Sequence, residues 1–152
     1  MFCPVAKEKQ GMEIPPSPFS YYQVVDMKVL LDTNFLLIPF TNHVDIFEEI
    51  DRALAGGVKF ILLSSTLAEL RSLRGRERMY ARTMLSFINR LRGKFEIVKV
   101  QGKTDEIILE YSEKNNSEEF YVATLDKELK AKLKKLKVRT IGMRGKGHVD
   151  IG

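Results

Sequence analysis

Four carboxylates are distinguished by where they fall. Asp32 opens Asp32-Thr33-Asn34 directly behind an apolar run, and Glu69 lies one turn into a helical stretch behind Ser64-Ser65-Thr66. Asp105 leads the pair Asp105-Glu106, and Asp126 closes Val122-Ala123-Thr124-Leu125-Asp126. Each has a structural reading on its own. Asp32 can start a turn. Thr66-Leu67-Ala68-Glu69 matches a capping box, with Glu69 reaching back to the Thr66 amide. Asp105 and Glu106 follow Thr104 as a helix cap and suit the helix dipole. Asp126 can cap the lysine-rich helix behind it. For any single acid the structural role is the better reading, but a converging set is different. Like charges ~4 Å apart repel by about 4 kcal/mol at an effective dielectric of ~20. A divalent cation removes that cost, and Mg²⁺ and Mn²⁺ favour oxygen ligands, binding through a few carboxylates together with water and substrate phosphate.

Convergence depends on the elements that carry the acids. Lys28-Val29-Leu30-Leu31, a nearly continuous apolar run, reads as a strand buried on both faces, as does Phe60 to Leu63. Further strands are expected at 95–100, 120–124 and 138–142. Between them, helices are expected at 44–55, 66–73, 76–92, 104–115 and 127–136. The 76–92 helix carries the stripe Tyr80, Met84, Phe87, Ile88 and Leu91. Strands alternating with helices imply βαβ units and a parallel sheet covered on both sides. Ligands in such sheets bind beyond the carboxyl ends of the strands, where strand order reverses. All four acids fall at strand ends or helix starts on that edge. Residues 1–24, interrupted by Pro15, Pro16 and Pro18, read as a loose leader ahead of one domain at 25–152.

Other chemistry finds little support. His43 and His148 are the only histidines and stand far apart, as surface residues would. Ser64 and Ser65 lack a nucleophile-elbow pattern. Gly142-Met143-Arg144-Gly145-Lys146-Gly147 lacks the spacing of a phosphate loop. The one cysteine, Cys3, excludes a disulfide framework and a cysteine-based zinc site and fits a reducing, cytoplasmic setting. No apolar run approaches the ~18 residues of a membrane span, and the start of the chain lacks a signal peptide's apolar stretch. With 152 residues, 44% hydrophobic and 30% charged, the chain is long enough for one domain with a real core.

The formal charge of +5 conceals a pattern. Residues 71–94 hold eight basic residues and one acid, and residues 127–152 nine and two. Residues 1–70 and 95–126 are net acidic. Two solvated helix faces would account for the basic blocks. An electropositive rim around an acidic centre would also do so, and would suit a polyanionic partner.

In this order and with these flanking strands, Val29-Leu30-Leu31-Asp32-Thr33-Asn34, Glu69, Thr104-Asp105-Glu106 and Val122-Ala123-Thr124-Leu125-Asp126-Lys127-Glu128-Leu129 resemble the PIN-domain ribonucleases over residues 27–148. The resemblance is closest to small archaeal proteins similar to the nucleases of small-subunit ribosomal RNA processing, with the closing Arg144-Gly145-Lys146-Gly147-His148 stretch in keeping. VapC-type toxins share the fold and the acids. The resemblance implies a three-layer α/β/α fold around a five-stranded parallel sheet. It implies an endoribonuclease using Mg²⁺ or Mn²⁺, with Asp32, Glu69, Asp105 and Asp126 as the acidic quartet and Asp32, Asp105 and Asp126 as metal ligands. Products would carry 5′-phosphate and 3′-hydroxyl ends. Asn34, Thr124 and Glu106 match auxiliary polar positions. Two departures are Asp105-Glu106 in place of an Asp-Asp pair and Leu125 in place of Asn. RNA would be guided by Arg71, Arg74, Arg76, Arg78 and Arg82 on one side and by Lys130, Lys132, Lys134, Lys135 and Lys137 on the other. Implied partners are RNA and either ribosome-assembly proteins or an antitoxin, with homodimers common in the family and no membrane association. A non-catalytic RNA-binding module of ribosome assembly is the alternative that keeps the basic blocks and makes the acids structural.

Overall fold

The computed structural model describes residues 27–152, so the expected leader and Cys3 lie outside the described residues. The strands are β1 (Met27–Leu31), β2 (Val58–Leu63), β3 (Phe95–Val98), β4 (Phe120–Ala123), β5 (Arg139–Arg144) and β6 (His148–Ile151). The helices are α1 (Ile38–Thr41), α2 (Ile46–Ala53), α3 (Ser64–Ser72), α4 (Arg76–Arg90), α5 (Thr104–Asn115) and α6 (Lys127–Lys135). The sheet runs β3-β2-β1-β4-β5-β6. The first five of these are mutually parallel, as expected, and β6 adds an antiparallel sixth at the edge. Strand order reverses between β1 and β4, so the crevice for a ligand opens at their carboxyl ends.

Alternation along the strands separates two cores. Val29, Leu31, Phe60 and Leu62 face α2, α3 and α4, while Leu30, Ile61, Leu63 and Val122 face α5 and α6. On the first side Phe47 stacks on Phe87 at 5.3 Å and meets Phe60 and Phe95 edge-on at 5.1 and 5.6 Å. Such pairs add about 0.5–1.5 kcal/mol each beyond burial. This cluster fixes α2 and α4 against β2 and β3.

Several boundaries differ from expectation, each for a local reason. Helix α2 starts two residues later than 44, because the Asp45 carboxylate accepts from the Phe47 and Glu48 amides, both at 3.1 Å, and caps the helix there. Phe35–Leu37 forms a 3₁₀ turn that runs into α1, with Pro39 in its first turn, where proline's missing amide costs nothing. Leu91 was expected on the buried stripe of α4 but is 40% exposed, since the helix ends at Arg90. Strand β5 continues to Arg144 and turns through Gly145, at φ 63°, into β6.

Candidate active site

The pairing ladder places the first acid. Leu31 lies beside Ala123, and Ala123 beside Ile141, so one step further Asp32, Thr124 and Gly142 form the terminal row across β1, β4 and β5. The Asp32 amide donates to the Ala123 carbonyl at 3.0 Å, which holds the residue in that row. Its side chain is only 6% exposed. The Thr33 amide donates to Oδ1 at 2.8 Å and the Thr124 hydroxyl to Oδ2 at 2.7 Å. Thr124 is fully buried, and its hydroxyl oxygen accepts from the Asp126 amide at 3.1 Å. One threonine thus links two of the acids.

Asp126 caps α6: its Oδ1 accepts from the Glu128 and Leu129 amides at 2.9 and 3.2 Å. The capping box expected at Thr66–Glu69 does not form. Helix α3 begins at Ser64, two residues before Thr66, with no side-chain cap. Glu69 turns instead to the Thr33 hydroxyl, which donates to its Oε1. Nor does Thr104 cap α5. It is the first helical residue, and Lys103 takes the cap position without a side-chain bond. Asp105 and Glu106 occupy the exposed first turn of α5. The loop before them is tied to the end of β2 by Ser64, whose hydroxyl donates to the Val100 carbonyl at 3.1 Å and accepts the Val100 amide at 2.9 Å.

A groove of about 640 Å³ opens here, lined by Ser65, Glu69, Asp105, Glu106, Lys103 and Lys132. A second, more apolar cleft of about 450 Å³, between Phe40, Phe47 and Phe87, holds none of the four acids. The first is lined by two of the four, Glu69 and Asp105, together with Lys103 and Lys132; Asp32 and Asp126 are not among its lining residues. Burial raises the Asp32 carboxyl above its ordinary value; the Thr124 hydroxyl and Thr33 amide pull it back, and the charges of Asp105 and Glu69 raise it further. Partial desolvation raises Asp105 as well, followed by Asp126 and Glu69, against which Lys132 acts in the opposite sense.

Every acidic donor at this edge is a carboxylate oxygen, the donor type hard divalent cations take. Among the described residues no three of His, Cys, Asp and Glu stand close enough to hold an ion alone. An ion bound by these acids would have to keep waters or take phosphate oxygens, as Mg²⁺ does.

The remaining expected residues are spread more widely. Asn34 starts the 3₁₀ turn, is exposed, and makes no capping bond. Thr33, beside it, is the residue that joins Asp32 to Glu69. Sequence reasoning passed over Thr33 and Ser64; their signal was position, directly behind buried strands. Arg71, Arg74, Arg76, Arg78 and Arg82 are all exposed. Helix α4 ends where β3 begins, at the amino edge of the sheet. At 1.5 Å per residue its length is roughly 22 Å, enough to bring Arg76, Arg78 and Arg82 back toward the carboxyl edge. Lys132 lines the groove and pairs with Glu128 at 3.7 Å. Lys130 is half-buried against β5, and Lys134, Lys135 and Lys137 are exposed. His43 and His148 are exposed, as expected of surface residues.

Comparison with known proteins agrees with this architecture. Residues 29–146 match the family model described as a PIN like domain. Ribonuclease VapC4 of Methanocaldococcus jannaschii is 33% identical over 131 residues, covering 82% of this chain and 95% of the relative. A solved structure of the PIN domain endonuclease Utp24 superposes with a TM-score of 0.67 at 23% identity, over 82% of this chain and 90% of that one, a likeness of fold. With the family model spanning most of the described residues and that relative matched over nearly its whole length, the chain belongs to the PIN-like domain family.

Proposed function

We propose that the protein is a metal-dependent endoribonuclease that hydrolyses RNA phosphodiester bonds at the carboxyl edge of β1 and β4. The observation that carries this is the set of acids gathered around a buried Asp32, with Asp32 and Asp105 both raised, first by desolvation and further by the charges of their acidic neighbours. A fold keeps such an arrangement when a cation is its working partner. The likeness to a protein named Ribonuclease VapC4 supports the same reading.

Asp32, Asp105 and Asp126 would hold Mg²⁺ or Mn²⁺, with Glu69 alongside. An ion held there would supply positive charge for the phosphate and would lower the pKa of a water for attack on phosphorus. Thr33 and Thr124 keep three of the acids in place through their hydroxyls. Lys103 and Lys132 provide cationic walls for the strand, and the arginines of α3 and α4 add charge on the other flank. Contacts of this kind bind phosphates without reading sequence, so affinity falls steeply with salt.

The test is cleavage of a 5′-labelled single-stranded RNA with Mn²⁺, by the wild-type protein and by Asp32→Asn. Loss of cutting in the variant and in EDTA, with 5′-phosphate and 3′-hydroxyl products, is expected. Equal cutting by both, or cutting in EDTA, overturns the proposal. Two biological settings follow. The sequence likeness to Ribonuclease VapC4 favours a toxin restrained by an antitoxin, and the resemblance of the closing Arg144-Gly145-Lys146-Gly147-His148 stretch keeps ribosomal RNA processing as the other. A small partner encoded beside the gene and co-purifying with the protein would decide for the first.

A further inference from the structure

We propose that Lys130 binds the RNA backbone phosphate next to the one held at the acids, and that residue 142 is glycine because it seats this ammonium. The proposal rests on the nuclease reading and adds a specific subsite to it. Gly142 is buried in β5 and does not take a positive φ, so the backbone there does not call for glycine. Glycine inside a strand marks a close approach. The approaching group is Lys130. A Cβ on residue 142 would stand 2.1 Å from its Nζ and 3.0 Å from its Cε, with the Thr124 carbonyl oxygen 3.9 Å away.

That seat is in the terminal row of the sheet. Gly142 is level with Thr124 and Asp32, two strand positions from Asp32, and adjacent strands lie about 4.8 Å apart. An ammonium there sits at the β5 end of the crevice, while Glu69, Asp105 and Lys132 occupy the end toward α3 and α5. A strand crossing the acids therefore meets Lys130 on leaving them. The other lysines of α6 are exposed, and Lys130 alone is half-buried. Among the described residues it takes part in none of the salt bridges. A compact ammonium on a flexible stem, seated against Gly142, is suited to a phosphate as a point charge.

The experiment reads binding of a fluorescein-labelled single-stranded RNA by anisotropy, in EDTA, over a series of KCl concentrations. One lost phosphate contact on single-stranded RNA flattens the slope of log K against log salt by ~0.7, or about fivefold in affinity at 0.1 M. Lys130→Ala should show both changes. Gly142→Ala retains every charge, and the atom it displaces is the far end of a flexible side chain, so the fold should persist while the ammonium is pushed away. It should reproduce most of the Lys130→Ala loss, and the double variant should bind no more weakly than Lys130→Ala. In a Lys134→Ala background, Gly142→Ala should still weaken binding. Wild-type affinity in Gly142→Ala, or full additivity in the double variant, overturns the proposal. If Gly142→Ala does not fold, Lys130→Met replaces it, and an unchanged affinity and slope there have the same consequence. A wild-type protein that binds no RNA overturns the nuclease reading too. One that binds and cuts RNA, with Gly142→Ala indistinguishable from it, overturns only the subsite.

Discussion

Thr124→Val should destabilise the protein by about 2–3 kcal/mol at neutral pH, and by less in acid. The two residues have the same shape, so the change removes a hydroxyl and little else. That hydroxyl is fully buried and donates to a carboxylate that is 6% exposed, so water cannot replace it. Hydrogen bonds to charged groups are worth about 1.5–3 kcal/mol, and the Asp126 amide also loses its acceptor. The pH dependence follows from Asp32. Its carboxyl in the fold lies above the ordinary 3.8, so stability from this group is greatest below the unfolded value and is lost as pH rises through the folded value. The Thr124 hydroxyl is the largest influence pulling that value down. Without it the folded value moves higher, and the variant loses more stability than wild type between acid and neutral pH. Each tenfold change in proton affinity is worth about 1.4 kcal/mol. Urea unfolding in EDTA at pH 4 and pH 7 measures the difference, with Thr124→Ser as the variant that retains the hydroxyl. A loss below about 0.5 kcal/mol, an equal loss at both pH values, or a Thr124→Ser variant as unstable as Thr124→Val would refute the reasoning.

Other expectations can be checked on the same preparations. Mn²⁺ should raise the melting temperature, by the equivalent of about 2.7 kcal/mol at one hundred times its Kd, and EDTA should reverse the effect. Asp105→Asn should abolish most of that gain, and calorimetry should show Mn²⁺ affinity falling with pH from above the ordinary carboxylate range, since protons compete for Asp32 and Asp105. Thr33→Val frees Glu69, whose side chain reaches solvent. Stability should fall by only about 1 kcal/mol, while Mn²⁺ affinity and RNA cleavage fall more; unchanged affinity would argue against a role for this pair. Phe47→Ala removes the centre of the Phe60–Phe87–Phe95 cluster. Phe47 is only partly buried, so chemical denaturation should show a loss of about 2–3 kcal/mol with cleavage retained under native conditions.

What could be read from the sequence was what repeats along the chain. The runs Val29–Leu31 and Phe60–Leu63 are apolar on consecutive residues because each strand has a helix layer on both faces, so their existence and parallel pairing were legible. Strand β6 was not, because it is four residues long with Val149 half-buried and its other residues exposed, and a short edge strand leaves little hydrophobic pattern. The positions of the four acids, at strand ends or near helix starts, were legible. Their partners were not, because Thr33 meets Glu69 across 36 positions and Thr124 meets Asp32 across 92, and no local pattern encodes such a pairing. The capping box illustrates the point. Its spacing was correct, yet a buried hydroxyl from another element took the glutamate, and the Thr66 hydroxyl is buried without a partner among the described residues.

The structural roles of these acids are compatible with the proposed chemical one, because of how their oxygens are used. Asp126 serves as a helix cap through Oδ1 alone, so the carboxylate keeps a second oxygen for a cation while the cap fixes its orientation. Asp32 has one donor on each oxygen, which leaves a lone pair on each for a ligand. Glu69 is restrained at Oε1 in the same way. Three of the acids are thus held by groups that are neutral donors, and none of these donors removes the negative charge. The hydrogen bonds orient the carboxylates without neutralising them; desolvation is the largest cause of the raised Asp32 and Asp105, and the charges of the neighbouring acids add to it. A purely structural set of caps would gain nothing from proximity and would be more stable dispersed. Orientation by neutral donors, with the negative charge left in place, is the arrangement that the proposed cation would complete.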